Sequence, residues 1–476
     1  GLGRHEEAIQ SYNKAIEIQP NYAEAHNNLG ALLNSMENYE GALSSYNKAI
    51  ELRPDYVEAY YNNGNILNKL KRYNDALCHY NKAIKVKPDY AEAYNNLGNT
   101  LSVLERREEA ISSYNKAIEI QPDYAEAYSN LGNILRVFGQ VEKIENNYKK
   151  SLTLEPRGAE AYFGLAVIFK EAGRAVEAGL CYLRAIVLKD DFSIARYNLG
   201  ILYHTSKDYR KAAAQFELVD FEKSKYYLLR CFYYLDEKVR FFDLLDNFIA
   251  QGEIDCVIGS LGCRSALRYG IERQNLFCSD PLNYVLKIDL NNDYDFDNIF
   301  IKTAHSILDE GRVAKKSQGL LTNGYQTYGN LFDLEPDSTK EIQDVIHAEI
   351  EKYRLNFKNS EEGFIKSWPT EYSLYGWLLS MKNGGELRPH MHENGWISGS
   401  VYINVPKKKT SDSGNLVVCI EDLPLSGSEN KVESIDVITG SLCLFPASLL
   451  HYTIPFESDE ERIVLAFDVV PKKLLN

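Results

Sequence analysis

Along the first 220 or so residues apolar positions fall at helical spacing, and the helical pattern itself recurs every 34 residues. Pro20, Pro54, Pro88, Pro122 and Pro156 keep this period, with Asp190 at the sixth place. Gly30, Gly64, Gly98, Gly132 and Gly200 share the phase. So do Ala8, Ala42, Ala76, Ala110, Ala178 and Ala212, each followed four residues later by a ring: Tyr12, Tyr46, Tyr80, Tyr114, Tyr182 or Phe216. Small residues let two antiparallel helices approach, rings fill the gap, and proline ends each pair before the next begins. The pattern predicts six helix pairs between about 22 and 220, preceded by one unpaired second helix at about 5–18. The chain therefore reads as starting inside a repeat, an N-terminally truncated array. Ile144, Ser151 and Ala166 depart from the pattern and predict a bend near 141–175.

From Tyr226 to about Gly270 the phase is lost while helical character persists, which predicts a helical cap. Turn signals at 275–282 set the next boundary. The resulting division is 1–225 for the array, 226–280 for a connector and 281–476 for a C-terminal domain. That domain opens with two amphipathic stretches, 296–311 and 338–353, read as helices. Beyond 370 the period changes to two, in short strands at 372–381, 396–405, 415–420, 441–445, 451–455 and 462–469. Strands at this density predict a sandwich or jelly roll, so the chain is multidomain, an α-helical solenoid followed by an α + β domain.

In length and at nearly every marked position the repeat resembles the tetratricopeptide repeat (TPR), whose first helices line a concave groove. Asn28, Asn62, Asn96, Asn130 and Asn198 stand two places before the repeat glycine, interrupted only by Gly164. A carboxamide carries one acceptor and two donors, so it can pair with a peptide unit whatever the peptide's sequence. This ladder resembles that of the O-GlcNAc transferase superhelix and implies a protein or peptide partner in the groove. Simple tolerance of asparagine in a consensus repeat is the alternative.

Composition narrows the partners. A net charge of −14 lacks the basic field that nucleic acids and anionic membranes require. No apolar stretch reaches the roughly 20 residues needed to span a bilayer. Eight scattered cysteines form no C-x-x-C pair, which points to reduced thiols in a cytoplasmic setting.

Chemistry concentrates at Arg388-Pro389-His390-Met391-His392, with His451 and Arg462 downstream. On a strand, residues two apart share a face, so His390 and His392 can reach one point together. A third nitrogen from a distant strand completes a facial set that leaves room for a co-substrate and O2, as in non-haem iron(II) sites. An arginine beyond it can hold a dicarboxylate bidentately.

Segments 388–406, 440–451 and 462–468 resemble the 2-oxoglutarate/iron(II)-dependent oxygenase family, over roughly the last 180 residues. The resemblance implies a double-stranded β-helix with Fe(II) on His390, His392 and His451. It makes Arg462 the anchor for the distal carboxylate of 2-oxoglutarate. Ser398 and Gly399 would allow close backbone approach, and Gly440 a tight turn. His392 stands where most members carry a carboxylate, and Glu393 could replace it only at a bend. In prolyl hydroxylases a co-substrate tyrosine precedes the first ligand by about ten residues; here that position is Ser380, with Tyr372 and Tyr375 nearby.

The reading is a hydroxylase whose repeats recruit a protein or peptide. Its rivals are an interaction scaffold with a metal-binding but inactive β-domain, a glycosyltransferase suggested by the ladder alone, and a three-histidine dioxygenase independent of 2-oxoglutarate.

Overall fold

The computed structural model describes residues 2–136, 140–316, 319–421 and 431–472. The chain divides into two compact units, 1–224 and 225–476.

The first unit begins with α1 (Leu2–Ile18) and continues in six helix pairs. These are α2 (Ala23–Ser35) with α3 (Tyr39–Leu52), α4 (Val57–Lys69) with α5 (Tyr73–Val86), and α6 (Ala91–Val103) with α7 (Arg107–Ile120). The others are α8 (Ala125–Leu135) with α9 (Val141–Leu154), α10 (Ala159–Glu171) with α11 (Ala175–Leu188), and α12 (Ser193–Thr205) with α13 (Tyr209–Phe216). Repeat glycines and rings meet inside five of the six pairs: a Cβ on Gly64 would lie 2.7 Å from the Tyr80 ring, and one on Gly98 2.6 Å from Tyr114. Ala42, Ala76, Ala110, Ala178 and Ala212 are wholly buried in the same layer.

Tyr148 carries the ring series into α9, within the divergent stretch, and donates to Asn133 Oδ1 at 2.6 Å. Tyr80 and Tyr114 donate in the same way to Asn65 and Asn99, both at 2.8 Å. The turn within a pair places one residue in the left-handed region, namely Glu37, Lys71, Glu105, Gly173 and Lys207. The next amide then reaches back to the helix, as Arg72 N to Leu67 O at 2.8 Å and Arg106 N to Leu101 O at 2.9 Å. This is the Schellman closure that satisfies the last carbonyls of a helix.

The helices α14 (Glu222–Tyr234), α15 (Lys238–Ala250) and α16 (Cys256–Tyr269) precede the strands. The Asp255 carboxylate caps α16 by accepting from the amides of Val257 and Ile258. Within the second unit, buried Arg264 pairs with Glu421 at 3.0 Å, and the Tyr233 hydroxyl donates to the same carboxylate at 2.7 Å. A charge pair this deep fixes position more than it adds stability, because desolvation offsets much of its Coulomb energy.

Next come β1 (Leu286–Asp289), a π-turn at 297–302 running into α17 (Thr303–Asp309), β2 (Lys315–Lys316), β3 (Leu321–Thr327), α18 (Leu331–Leu334), α19 (Lys340–Asn356) and α20 (Gly363–Lys366). The remaining strands are β4 (Tyr372–Leu387), β5 (Ile397–Asn404), β6 (Leu416–Cys419), β7 (Val432–Ile435), β8 (Ser441–Pro446), β9 (Leu450–Thr453) and β10 (Arg462–Pro471). They form a seven-stranded antiparallel sheet, β1-β8-β5-β10-β4-β3-β2, and a three-stranded one, β7-β6-β9. Leu379, Tyr402 and Val464 of the larger sheet share one core with Leu416 and Val418 of the smaller. Two antiparallel sheets closed on one core make a jelly roll.

Candidate functional site

His390 lies three residues past the end of β4, outside regular strand, where it forms an isolated antiparallel bridge with His451 of β9. The bridge is reciprocal: His390 N donates to His451 O at 3.2 Å, and His451 N to His390 O at 2.8 Å. His392 sits in the loop that follows, so the two histidines meet through a bend rather than through strand pleating. Glu393 occupies a turn and pairs with Arg230 of α14, which directs it to a different partner.

The hydrogen bonds fix the ring orientations. His392 Nδ1 is 2.6 Å from Asp468 Oδ1 on β10, and the Ser398 hydroxyl donates to the same oxygen at 2.8 Å. His390 Nδ1 donates to the Arg388 carbonyl at 2.8 Å. With both Nδ1 atoms donating, the two Nε2 lone pairs face each other at 3.2 Å. Such a pair is at rest only when a proton or a metal cation lies between them.

One ligand atom each from His390, His392 and His451 all fall within 4.8 Å of one another. Burial, reinforced by the neighbouring His392, pushes His390 down to about 4. Burial followed by the other two imidazoles pushes His451 well below its usual value. Both rings therefore present lone pairs at neutral pH. His451 Nδ1 is also buried with no hydrogen-bond partner. This donor set fits a borderline divalent transition metal, for which imidazole is a suitable ligand.

A cavity of about 290 Å³ opens on the three histidines and is walled by Trp377, Leu379, Met381, Tyr402 and Val464 among others. Arg462, the first residue of β10, is only 1% exposed. Its Nη1 donates to the Gly414 carbonyl, while Nε and Nη2 are buried without a partner. Gly414 holds φ at +71°, and a Cβ there would collide with the guanidinium. Burial pulls Arg462 below its ordinary pKa, and the Tyr402 ring stands 5.2 Å from the guanidinium. A buried cation with two nitrogens left without a hydrogen-bond partner carries a desolvation penalty that an incoming anion would relieve.

Two residues of this arrangement have no assigned role in the sequence reading. Asp468 closes a segment already marked, but its contact with His392 depends on the β5–β10 register that pairs it with Ser398. Tyr402 stands beside Arg462, downstream of the histidine pair rather than before it. Alternation along β5 was the available signal, since Ser400 and Tyr402 both line the cavity. Of the upstream candidates, Tyr375 lines the cavity, Tyr372 is bonded to His347 at 3.0 Å, and Ser380 is buried with an unpartnered hydroxyl.

The asparagine ladder is partly engaged within the first unit. Asn96 Nδ2 donates to Tyr61 Oη at 3.0 Å and to Asn65 Oδ1 at 2.9 Å. Asn130 donates to Asn95 Oδ1 at 3.0 Å, and Asn198 to its own helix at Ile194 O, 2.8 Å. Asn28 is exposed and Asn62 half-buried. Asn96 and Asn130 thus join adjacent repeats. Gly164, which interrupts the ladder, makes room for the Tyr148 ring.

A jelly roll with three converging histidines and a buried arginine defines a class, and comparison with known proteins is consistent with it. Residues 375–468 match the family described as "Putative 2OG-Fe(II) oxygenase". Residues 2–36, 64–102 and 104–135 match the TPR repeat, and 23–56 the tetratricopeptide repeat. One chain thus carries TPR repeats and a domain of the 2OG-Fe(II) oxygenase type. Among curated proteins nothing matches.

Solved structures similar to the chain include YrrB, a TPR protein with an unusual peptide-binding site, at 26% identity over 39% of this chain and 96% of that one, TM-score 0.34. MamA is 25% identical over 34% and 95%, TM-score 0.32. Pseudomonas aeruginosa pilF is 20% identical over 44% and 90%, TM-score 0.38.

Proposed function

We propose that residues 225–476 form an Fe(II)- and 2-oxoglutarate-dependent oxygenase and that the TPR repeats bind the protein or peptide it acts on. The observation that carries the reading is the convergence of three histidines in a domain that also buries an arginine with two partnerless nitrogens. His390, His392 and His451 would hold the iron. Iron(II), when bound, supplies the means to couple oxidation of 2-oxoglutarate to succinate and CO2 with hydroxylation of a C–H bond by O2.

The protein's own groups do the rest. Asp468 and Ser398 fix the His392 ring and its tautomer, so that Nε2 remains a ligand. Arg462, with the Tyr402 hydroxyl near it, would hold the distal carboxylate of 2-oxoglutarate. Leu379, Met381 and Val464 keep water from the cavity and strengthen each electrostatic contact inside it. His392 leaves the ligand set without the usual carboxylate, and Asp468 brings a negative charge to its far side.

The test is anaerobic addition of Fe(II) and then 2-oxoglutarate. A visible charge-transfer band that needs both, followed by succinate on admitting air, is the expected result. Metal binding with neither band nor succinate would favour a scaffold with an inactive β-domain.

A further inference from the structure

The repeat provides its own control for judging surfaces. In α7 the outward positions are Glu108, Ser112, Asn115 and Glu119, and in α9 they are Glu142, Asn146, Lys149 and Thr153. The equivalent positions of α11 are Val176, Leu180, Leu183 and Val187. These four are exposed by 77%, 63%, 41% and 75%. Their spacing of four, three and four makes a continuous stripe with the period of a coiled-coil seam. The polar faces of the two preceding repeats show that the fold itself does not call for this stripe.

We infer that α11 is a self-association surface, on which a second copy of this chain docks its own α11 in antiparallel orientation about a two-fold axis. The order Val-Leu-Leu-Val is the same read in either direction. An antiparallel partner therefore sets Leu180 against the second copy's Leu183 and Val176 against its Val187, as a self-complementary interface requires. The flanking charges obey the same symmetry. Glu177 and Arg184 each follow a seam residue by one position, so they lie along one edge, and the antiparallel fit brings Glu177 of each copy beside Arg184 of the other. Arg184 is exposed with no ion-pair partner among the described residues, whereas Glu177 also holds Arg174.

A single helix face is small beside the roughly 800 Å² per partner of a standard interface, so the dimer should be weak, with a dissociation constant on the order of 10 µM. The experiment is sedimentation velocity on the full chain across that range. Wild type should pass from monomer to dimer as concentration rises. Leu180→Glu with Leu183→Glu should stay monomeric with an unchanged circular-dichroism melt, because both side chains are at the surface. Arg184→Glu should weaken association at least tenfold, and adding Glu177→Arg should restore it. Wild type that stays monomeric throughout would overturn the inference and assign the stripe to a different protein. A dimer that survives the paired glutamates would place the interface elsewhere, and failure of the charge reversal to rescue would overturn the antiparallel pairing.

Discussion

At the scale of single residues, His392 and Asp468 act as a pair. Asp468→Asn keeps an acceptor for His392 Nδ1 but removes the charge, whereas Asp468→Ala removes both. Metal affinity measured by calorimetry should fall roughly 10- to 100-fold in the alanine variant and less in the asparagine variant. Equal affinity in all three would show that Asp468 does not position the ligand. His392→Asp restores the common carboxylate but sets it close to Asp468. Like charges at this range disfavour each other, so the double change His392→Asp with Asp468→Asn should bind metal better than His392→Asp alone.

Arg462→Ala should spare the metal and raise the apparent 2-oxoglutarate constant, by about 1.5–3 kcal/mol for each charge-assisted bond lost. Unchanged dependence on 2-oxoglutarate would remove this role. The three converging histidines could be picked out from sequence because a rare residue type stood at telling spacings. Asp468 and Tyr402 could not, since their roles arise from contacts between strands that only the register creates.

At the scale of elements, the repeat makes exchanges at equivalent positions comparable. Gly98→Ala would push a methyl into the Tyr114 ring, and overpacking of this kind costs about 1–3 kcal/mol. Lys71, by contrast, holds φ at 59°, a conformation that glycine adopts without strain. Lys71→Gly should therefore stabilise the array by about 0.5–1 kcal/mol. Chemical denaturation reads both, and a destabilising Lys71→Gly would mean that its side chain matters more than its backbone.

The helix pairs were legible because each repeat restates the same pattern, and β5, β8 and β10 because their short segments stood out by a change to period two between glycines. β1, β2, β3 and β7 were missed because they are short or mostly uncovered, so alternation had too few positions to register. β4 runs six residues past its expected end, through Gly384 and Gly385, where the β3–β4 register shifts.

At the scale of the molecule, the two units should respond separately. A divalent metal at about one hundred times its dissociation constant adds roughly 2.7 kcal/mol to whatever it binds. In a thermal scan, the transition of residues 225–476 should rise and that of the repeats should not. Replacing Asn96 and Asn130 by alanine should lower turnover of a protein substrate while uncoupled 2-oxoglutarate consumption persists. Because these residues also join adjacent repeats, the melt of the double variant must be measured beside its kinetics. Equal turnover on the true substrate would show that the groove does not recruit it.

The reciprocal bridge between His390 and His451 ties two of the proposed ligands to the backbone that closes the smaller sheet on the larger. The two amides in that bridge can trade hydrogen with solvent only when the sandwich parts at this seam. Their exchange rates therefore record the same opening event that would scatter the imidazoles. A metal ion held by both rings would act as a rivet across the seam, slowing exchange at His390 and His451 more than at neighbouring amides.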